Sequence, residues 1–455
     1  YTFARPEQSV CCYRAFPIRI ANVARHGCSC PPNAAGTGIV NPNEPLRFGG
    51  ISSCIKGRVD RGVGGNTKSA TIVARYLERW MLIWSDGMPG KRIAITGAGP
   101  IGLEAALYAR LRDFEVVVFE KGNVADNVRS WGHVRLFSPF GINSSEWGRG
   151  ALPDADLPAA DALLTGVEFF GQYLLPLSQH PRLQGCIQEN TRVLTIGKRH
   201  FWKGDAIGRR SRLESPFTLL TESQQNGEQV IEADFVLDCS GTFGNHNWLG
   251  NGGVPALGER QLSERIDYFL PDITGKDQSR FTGRRNLVVG SGYSAATAIV
   301  ALGSLTEQNY DTEVFWLTRM STETPLSGID GDTLRGRADL TARANELAAN
   351  AASKINWFPA SYVRQIGKAS DGGIQVTIET NTEQGNSNCK VLTIDNVIAN
   401  VGYHPDRSLY EELQIHECYA SQGPMKLAAA LMGESSANCM TQSSPGTDTL
   451  KNPEP

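Results

Sequence analysis

The sequence predicts an α/β fold of two Rossmann-like dinucleotide-binding domains, each a three-layer unit on a parallel sheet, with the second inserted into the first. Three observations predict it. The turn Gly97-Ala-Gly99-Pro100-Ile-Gly102 follows a short apolar run at 92–96; a second turn, Gly290-Ser-Gly292-Tyr-Ser294-Ala295, follows another at 286–289; and each leads through a helical stretch to a further apolar run, at 115–119 and 313–317. Short apolar runs bounded by glycine read as strands of a sheet buried on both faces.

The glycines of the first turn have separate tasks. Gly97 permits the tight turn, Gly99 lets the backbone approach a pyrophosphate, and Gly102 allows the helix to pack closely on the strand. The helix start then offers unpaired N–H groups and a favourable dipole to the phosphates. Glu120 ends the second run, where a carboxylate accepts hydrogen bonds from ribose hydroxyls. In the second turn Ala295 takes the third small-residue position, and Arg319 stands just past the strand, where the first unit has Glu120. An arginine there pairs with a ribose 2′-phosphate, so NADPH is expected and NADH is less favoured. The alternative for Arg319 is a solvated strand-end residue.

At 455 residues, 40% apolar and 20% charged, the chain can hold two or three cores. Its apolar runs, such as those within 115–119 and at 427–432, fall far short of the roughly 18 residues that span a bilayer, so no membrane span is expected. A net charge of −3 without a basic recognition helix gives no field for nucleic acid. Small molecules are the expected partners, and the sequence gives no reading of oligomeric state.

Five of the ten cysteines, Cys11, Cys12, Cys28, Cys30 and Cys54, fall in the first 54 residues, and the others are scattered singly. That is not a disulfide framework. Cys28 and Cys30 lack a histidine at zinc-finger distance, so no metal site is expected. A reducing compartment follows: cytoplasmic, or an organelle matrix if the N-terminal stretch, basic and acid-poor over 8–43, is a transit segment. An unstructured extension fits the same composition. Only 69–85 carries helical spacing, so residues 1–68 are expected to be dispensable for dinucleotide binding.

Taken together, GAGPIG (97–102), VVVFEKG (116–122), VLDCSGTFG (236–244), VVGSGYSAA (288–296) and NVGYHPD (400–406) resemble the two-dinucleotide flavoprotein superfamily. That group includes flavin-containing monooxygenases, thioredoxin reductases and glutathione-reductase-like enzymes, and the resemblance covers about residues 91–455. SWGHVRLFS (130–138) and SRFTGRRNLVVGSGYSA (279–295) most resemble a monooxygenase-like branch of FAD-dependent oxidoreductases. The resemblance implies that Gly97, Gly99, Pro100, Gly102 and Glu120 bind FAD, and that Arg129 and Trp131 lie in the segment passing beside the flavin. It places Ser240 and Gly241 in a first crossing segment and Gly402 in the return crossing. Gly290, Gly292, Ser294, Ala295 and Arg319 are then the nicotinamide-coenzyme residues. Trp131 also reads as an ordinary core residue, and His133 and His404 read either as flavin or substrate contacts or as structural hydrogen-bonding histidines.

The implied organisation is an N-terminal extension over 1–90, an FAD-binding domain from 91–275 plus 396–455, and an NAD(P)-binding domain over 280–395. Two departures accompany it. Phe281 to Gly283 keep the FxG part of the monooxygenase signature, but Asp267 and Tyr268 stand where a histidine is expected. The closing strand and helix expected after the return crossing are not supplied before Pro455, so the FAD domain is expected to be truncated.

A dithiol reductase needs two cysteines in CxxC or CxxxxC spacing. No such pair is present near the motifs, and Cys239 is single. No catalytic acid or base is demanded, and no catalytic residue is named. The expected function is an FAD-dependent oxidoreductase reduced by NADPH, monooxygenase-like on a small organic substrate with molecular oxygen. The alternatives are a flavin NAD(P)H reductase or oxidase without oxygen insertion, and an inactive truncated nucleotide-binding fragment.

Overall fold

The apolar runs that precede the two glycine turns become central strands of two separate sheets. The computed structural model describes residues 19–21 and 90–452, apart from 154, 310, 382–386 and 433–445. The candidate helix at 69–85 and the cysteines from Cys11 to Cys54 lie outside the described residues.

Along the chain, the first unit contains β1 (Arg19–Ala21), β2 (Arg92–Thr96), α1 (Pro100–Leu111), β3 (Glu115–Phe119) and β4 (Ile187–Gln188). A meander of β5 (Thr191–Lys198), β6 (Phe217–Ser223) and β7 (Gly227–Ala233) follows, then β8 (Phe235–Asp238). The second unit contains β9 (Ile266–Asp267), β10 (Arg285–Val289), α2 (Tyr293–Gln308), β11 (Glu313–Leu317), α3 (Arg335–Ala349) and β12 (Ile355–Phe358). Its meander is β13 (Ser361–Lys368), β14 (Ile374–Asn381) and β15 (Ser387–Ile394), and β16 (Asn396–Ala399) completes it.

The first sheet has the order β1-β8-β2-β3-β4, the second β12-β11-β10-β16-β9. All neighbours are parallel except β1, which runs antiparallel to β8. Both meanders are antiparallel. Because side chains alternate across a strand, Ile93 and Ile95 of β2 enter the core beneath α1, and Ala94 joins the core beneath the meander. In β10, Val288 faces α2 and α3, with Leu287 and Val289 on the meander side. Each sheet is therefore the middle of three layers and is covered on both faces, which is why its strands are apolar throughout.

Two boundaries differ from expectation. β16 pairs with β10 from Asn286↔Asn396 to Val289↔Ala399, and β9 pairs with β16. The second sheet thus draws strands from Ile266 to Ala399, wider than the 280–395 expected, because the return crossing begins only after that sheet is complete. In the first sheet, β1 comes from the N-terminal extension and pairs Arg19↔Asp238 to Ala21↔Val236, so the extension is not wholly separate from this unit.

Helix α1 carries one acid on its packed side. The Glu104 carboxylate accepts from the Ser145 N–H at 2.8 Å and from the Tyr173 hydroxyl, which closes residues 145–148 over the helix. Burial raises the Glu104 pKa above the usual carboxylate range, against the lowering effect of those hydrogen bonds. In the window between the unfolded and the raised folded pKa the native state binds more protons, so this group's contribution to stability falls as pH rises. Tyr173→Phe removes one donor from a buried carboxylate and is expected to cost about 1–3 kcal/mol at neutral pH. The loss should shrink as pH falls, because a protonated Glu104 leaves no uncompensated charge. Urea unfolding of both proteins at neutral and mildly acidic pH measures this, and equal losses at the two pH values would refute it.

Candidate functional site

The two glycine turns are shaped by backbone contacts. Gly97 has φ +98° and Gly290 φ +137°, where a Cβ is disfavoured. A Cβ on Gly97 would lie 2.5 Å from the Cys239 carbonyl oxygen, and one on Gly290 2.2 Å from that of Asn400. Cys239 and Asn400 are the residues that follow β8 and β16, so each crossing strand sets its next carbonyl against the first glycine of a turn. On the other side, the Gly97 N–H donates to the Phe119 carbonyl at 2.7 Å and the Gly290 N–H to that of Leu317 at 3.0 Å.

Gly99 and Gly292 are glycines for a different reason. Both have extended backbone, with φ −79° and −97°, which any residue adopts, and no atom lies within 4 Å of a Cβ built on either. What they preserve is open space. They are the N-caps of α1 and α2, and neither helix has a side-chain cap or an acid in its first turn. The short helix at Gly166–Phe169, by contrast, is closed by a capping box from Thr165 and Glu168. The uncapped helices leave their first N–H groups to an anion. Pro100 begins α1, where its missing N–H costs nothing. A Cβ on Gly102 would lie 1.9 Å from the Gly97 oxygen, whereas the second turn accommodates a buried Ala295. Ser294 is exposed on the first turn of α2.

Glu120 is buried and accepts from the Ala98 N–H at 2.8 Å and the Gly122 N–H at 3.0 Å. It fastens the first turn to the end of β3, and each oxygen keeps lone-pair capacity for a hydroxyl donor. Arg319 lies two residues beyond β11, is exposed, and makes no ion pair among the described residues.

The segment after β3 divides between structure and surface. Arg129 pairs with Asp126 at 3.3 Å and lies 5.2 Å from the Phe170 ring centroid. Trp131 packs on Gly166, where a Cβ would meet its ring at 2.7 Å, and on the core of the first unit. Its core role is therefore evident from packing. Arg129 borders a cavity of about 640 Å³ that also involves Asn123, Phe170 and Glu189, and no residue of either glycine turn lines it. His133 is exposed.

Phe137 reaches the second unit: its ring meets Tyr293 edge-on at 5.8 Å. The Arg337 guanidinium lies 5.7 Å from the Tyr293 ring centroid and is held by a buried bidentate pair to Asp332, at 2.7 and 2.6 Å. Hydrogen bonding to Arg337 keeps the Asp332 carboxyl below the usual range. Sequence reasoning missed this group, since no spacing signal joins residues 137, 293 and 337.

The crossing segments meet each other. Asn247 N–H donates to the Gly402 carbonyl at 2.9 Å, His404 N–H to that of Asn245 at 2.9 Å, and the Asn247 side chain to that of Val401 at 3.1 Å. Asn245 Nδ2 lies 2.8 Å from His404 Nδ1, so His404 has a structural partner. Gly241 and Gly402 have φ +71° and +85°, and Asp238 accepts from both the Ser240 N–H and hydroxyl at 3.0 and 2.5 Å. Among the described residues Cys186, Cys239, Cys389 and Cys418 are free thiols. Burial, and Asp238 beside it, push the Cys239 thiol well above its ordinary range.

The contrast between the first two glycines of each turn is testable. Gly97→Ala meets both a left-handed φ and a backbone clash and should cost about 2–4 kcal/mol of stability. Gly99→Val meets neither, so it should fold with near-normal stability and lose dinucleotide binding by filling the pyrophosphate space. Thermal unfolding of both variants, with dinucleotide binding measured on Gly99→Val, checks the assignment, and a destabilised Gly99→Val would contradict it.

No protein-family model matches the chain, and no curated protein matches its sequence. Among solved structures it is similar to the bacillithiol disulfide reductase of Bacillus cereus, at 18% identity and a TM-score of 0.52, over 72% of this chain and 83% of that one. The bacillithiol disulfide reductase of Staphylococcus aureus gives 21% identity and a TM-score of 0.50, over 73% and 83%. Two largely parallel sheets, each with a glycine turn, a meander and a crossing strand, together with these likenesses, show that the chain has a fold of two Rossmann-like units, shared with these structures.

Proposed function

We propose that the chain is an FAD-dependent oxidoreductase that draws reducing equivalents from NADPH and acts, monooxygenase-like, on a small organic substrate with molecular oxygen. The observation that carries this reading is the pair of uncapped helix starts, each preceded by a glycine that keeps open space above the turn. The residues present fit two dinucleotides. Gly97, Gly99, Pro100 and Gly102 would hold the FAD pyrophosphate on α1, with Glu120 accepting from ribose hydroxyls. Gly290, Gly292, Ser294 and Ala295 would hold the coenzyme on α2, within a unit inserted between the two crossing segments. A bound flavin supplies the acceptance of hydride and the subsequent electron transfer. The protein binds, orients and shields, with Ser240, Gly241 and Gly402 shaping the segments that pass between the two sites.

A second reading, reduction of an acceptor without oxygen insertion, has its own support: both solved structures described above carry the name disulfide reductase. Against a dithiol mechanism stands the lack of a cysteine pair among the described residues, with Cys239 held as a protonated thiol. The ratio of oxygenated product to NADPH consumed separates the readings. Stoichiometric product supports the first, NADPH consumption with a reduced acceptor and no oxygenated product supports the second, and protein that binds neither flavin nor coenzyme sinks both.

Arg319 tests the choice of coenzyme. A desolvated, bidentate arginine would give a tenfold to hundredfold preference for the 2′-phosphate, about 1.5–3 kcal/mol. Arg319 is exposed, and an exposed ion pair contributes at most about 1 kcal/mol, so the expected preference for NADPH over NADH is at most about fivefold. Arg319→Ala should erase that preference by raising the Kd for NADPH alone, as measured by titration with each coenzyme. An equal rise for both would assign Arg319 to the fold.

A further inference from the structure

Asn400, the residue after β16, is 8% exposed, and both its Oδ1 and its Nδ2 are buried without a hydrogen-bond partner. Such an amide is a standing cost to the fold, and buried polar groups rarely go unpaired. Its carbonyl lies against Gly290, which puts the residue beside the second turn. Val397 and Ala399 belong to the meander-side core, Ile398 to the core under α2, and Val401 packs on the meander side again. Strand alternation therefore carries the Asn400 side chain to the face of α2, whose N-terminus is uncapped. The corresponding residue of the first unit is Cys239, so the fold itself does not require an amide at this position.

The order β11-β10-β16 sets Asn400 and Arg319 on opposite sides of the turn. A coenzyme with its adenosine ribose at Arg319 and its pyrophosphate over the turn extends its other half toward Asn400. An amide both donates and accepts. The carboxamide and ribose hydroxyls of that half do the same, whereas phosphates only accept. We infer that Asn400 is a positioning residue that binds the nicotinamide–ribose half of the coenzyme, its side chain rotating out of the core when the coenzyme arrives. This rests on the reading of the second turn as the coenzyme site.

The test is Asn400→Leu in the full chain, which keeps the volume and removes the amide. The Tm of the unbound protein should rise by about 2–4 °C, while the Kd for NADPH rises about tenfold. The Kd for 2′,5′-ADP, which lacks the nicotinamide half, should stay unchanged. The 3-acetylpyridine analogue of NADPH identifies the contacted group. If that group is the carboxamide, the wild-type preference for NADPH over the analogue falls in the variant; if it is the ribose, the preference persists; either result supports the inference. A raised Tm with an unaltered NADPH Kd would overturn it, leaving the amide a cost of folding or the partner of a resident water. Asn400→Ala should show the same Kd pattern and serves if the leucine variant does not fold. Wild-type protein that binds neither NADPH nor NADH would defeat the coenzyme reading itself, a result distinct from an unaltered Kd.

Discussion

The arrangement of both halves depends on one short-range repulsion: a carbonyl oxygen standing where the first glycine of each turn would otherwise carry a Cβ. Because Cys239 and Asn400 occupy that space with backbone, the turn must be glycine, and the strand before it must sit beside the crossing strand. The parallel pairings β2 with β8 and β10 with β16 follow. So does the aim of α1 and α2, whose first turns have nowhere to go but over the ends of their sheets. The same contact sets the crossing segments close to the turns, and from there they pair with each other through Asn245, Asn247, Gly402 and His404.

How much of this was legible in the sequence depends on whether the determining contact is local. The β–turn–α–β units were readable at 92–119 and 286–317, because strand, glycines and helix are consecutive and each has its own composition. The small residues at positions 102 and 295 were readable for the same reason. The extent of the second sheet was not, since β9 and β16 are four residues or fewer and owe their place to partners far along the chain. Trp131 looked equally suited to a cofactor or to a core, and its packing on Gly166 comes from a residue 35 positions along the chain that no local pattern announces. At Gly99 the backbone is extended and the space beside it open, a feature of tertiary surroundings that spacing alone does not display.

Charge at the two sites is organised differently. In the first turn the carboxylate of Glu120 is already engaged with backbone N–H groups, so a ribose would add to an existing network. In the second, Arg319 stands exposed without an ion pair among the described residues, and the buried Arg337 is engaged by Asp332. Such a pair contributes little net stability, yet it fixes Arg337 beneath Tyr293 at the start of α2.

The ring contact between Phe137 and Tyr293 has a thermodynamic corollary. Phe137 belongs to the segment that follows β3, and Tyr293 is the first residue of the helix that the second turn opens. Any ligand that shifts Tyr293 on docking changes the free energy of the Phe137 conformation, and by reciprocity any ligand that reorders the Phe137 segment changes affinity at the second turn by the same factor. Ligands that acted on both segments would be linked through this contact, and the edge-on packing of two aromatic rings, about 0.5–1.5 kcal/mol, would set the scale of their cooperativity.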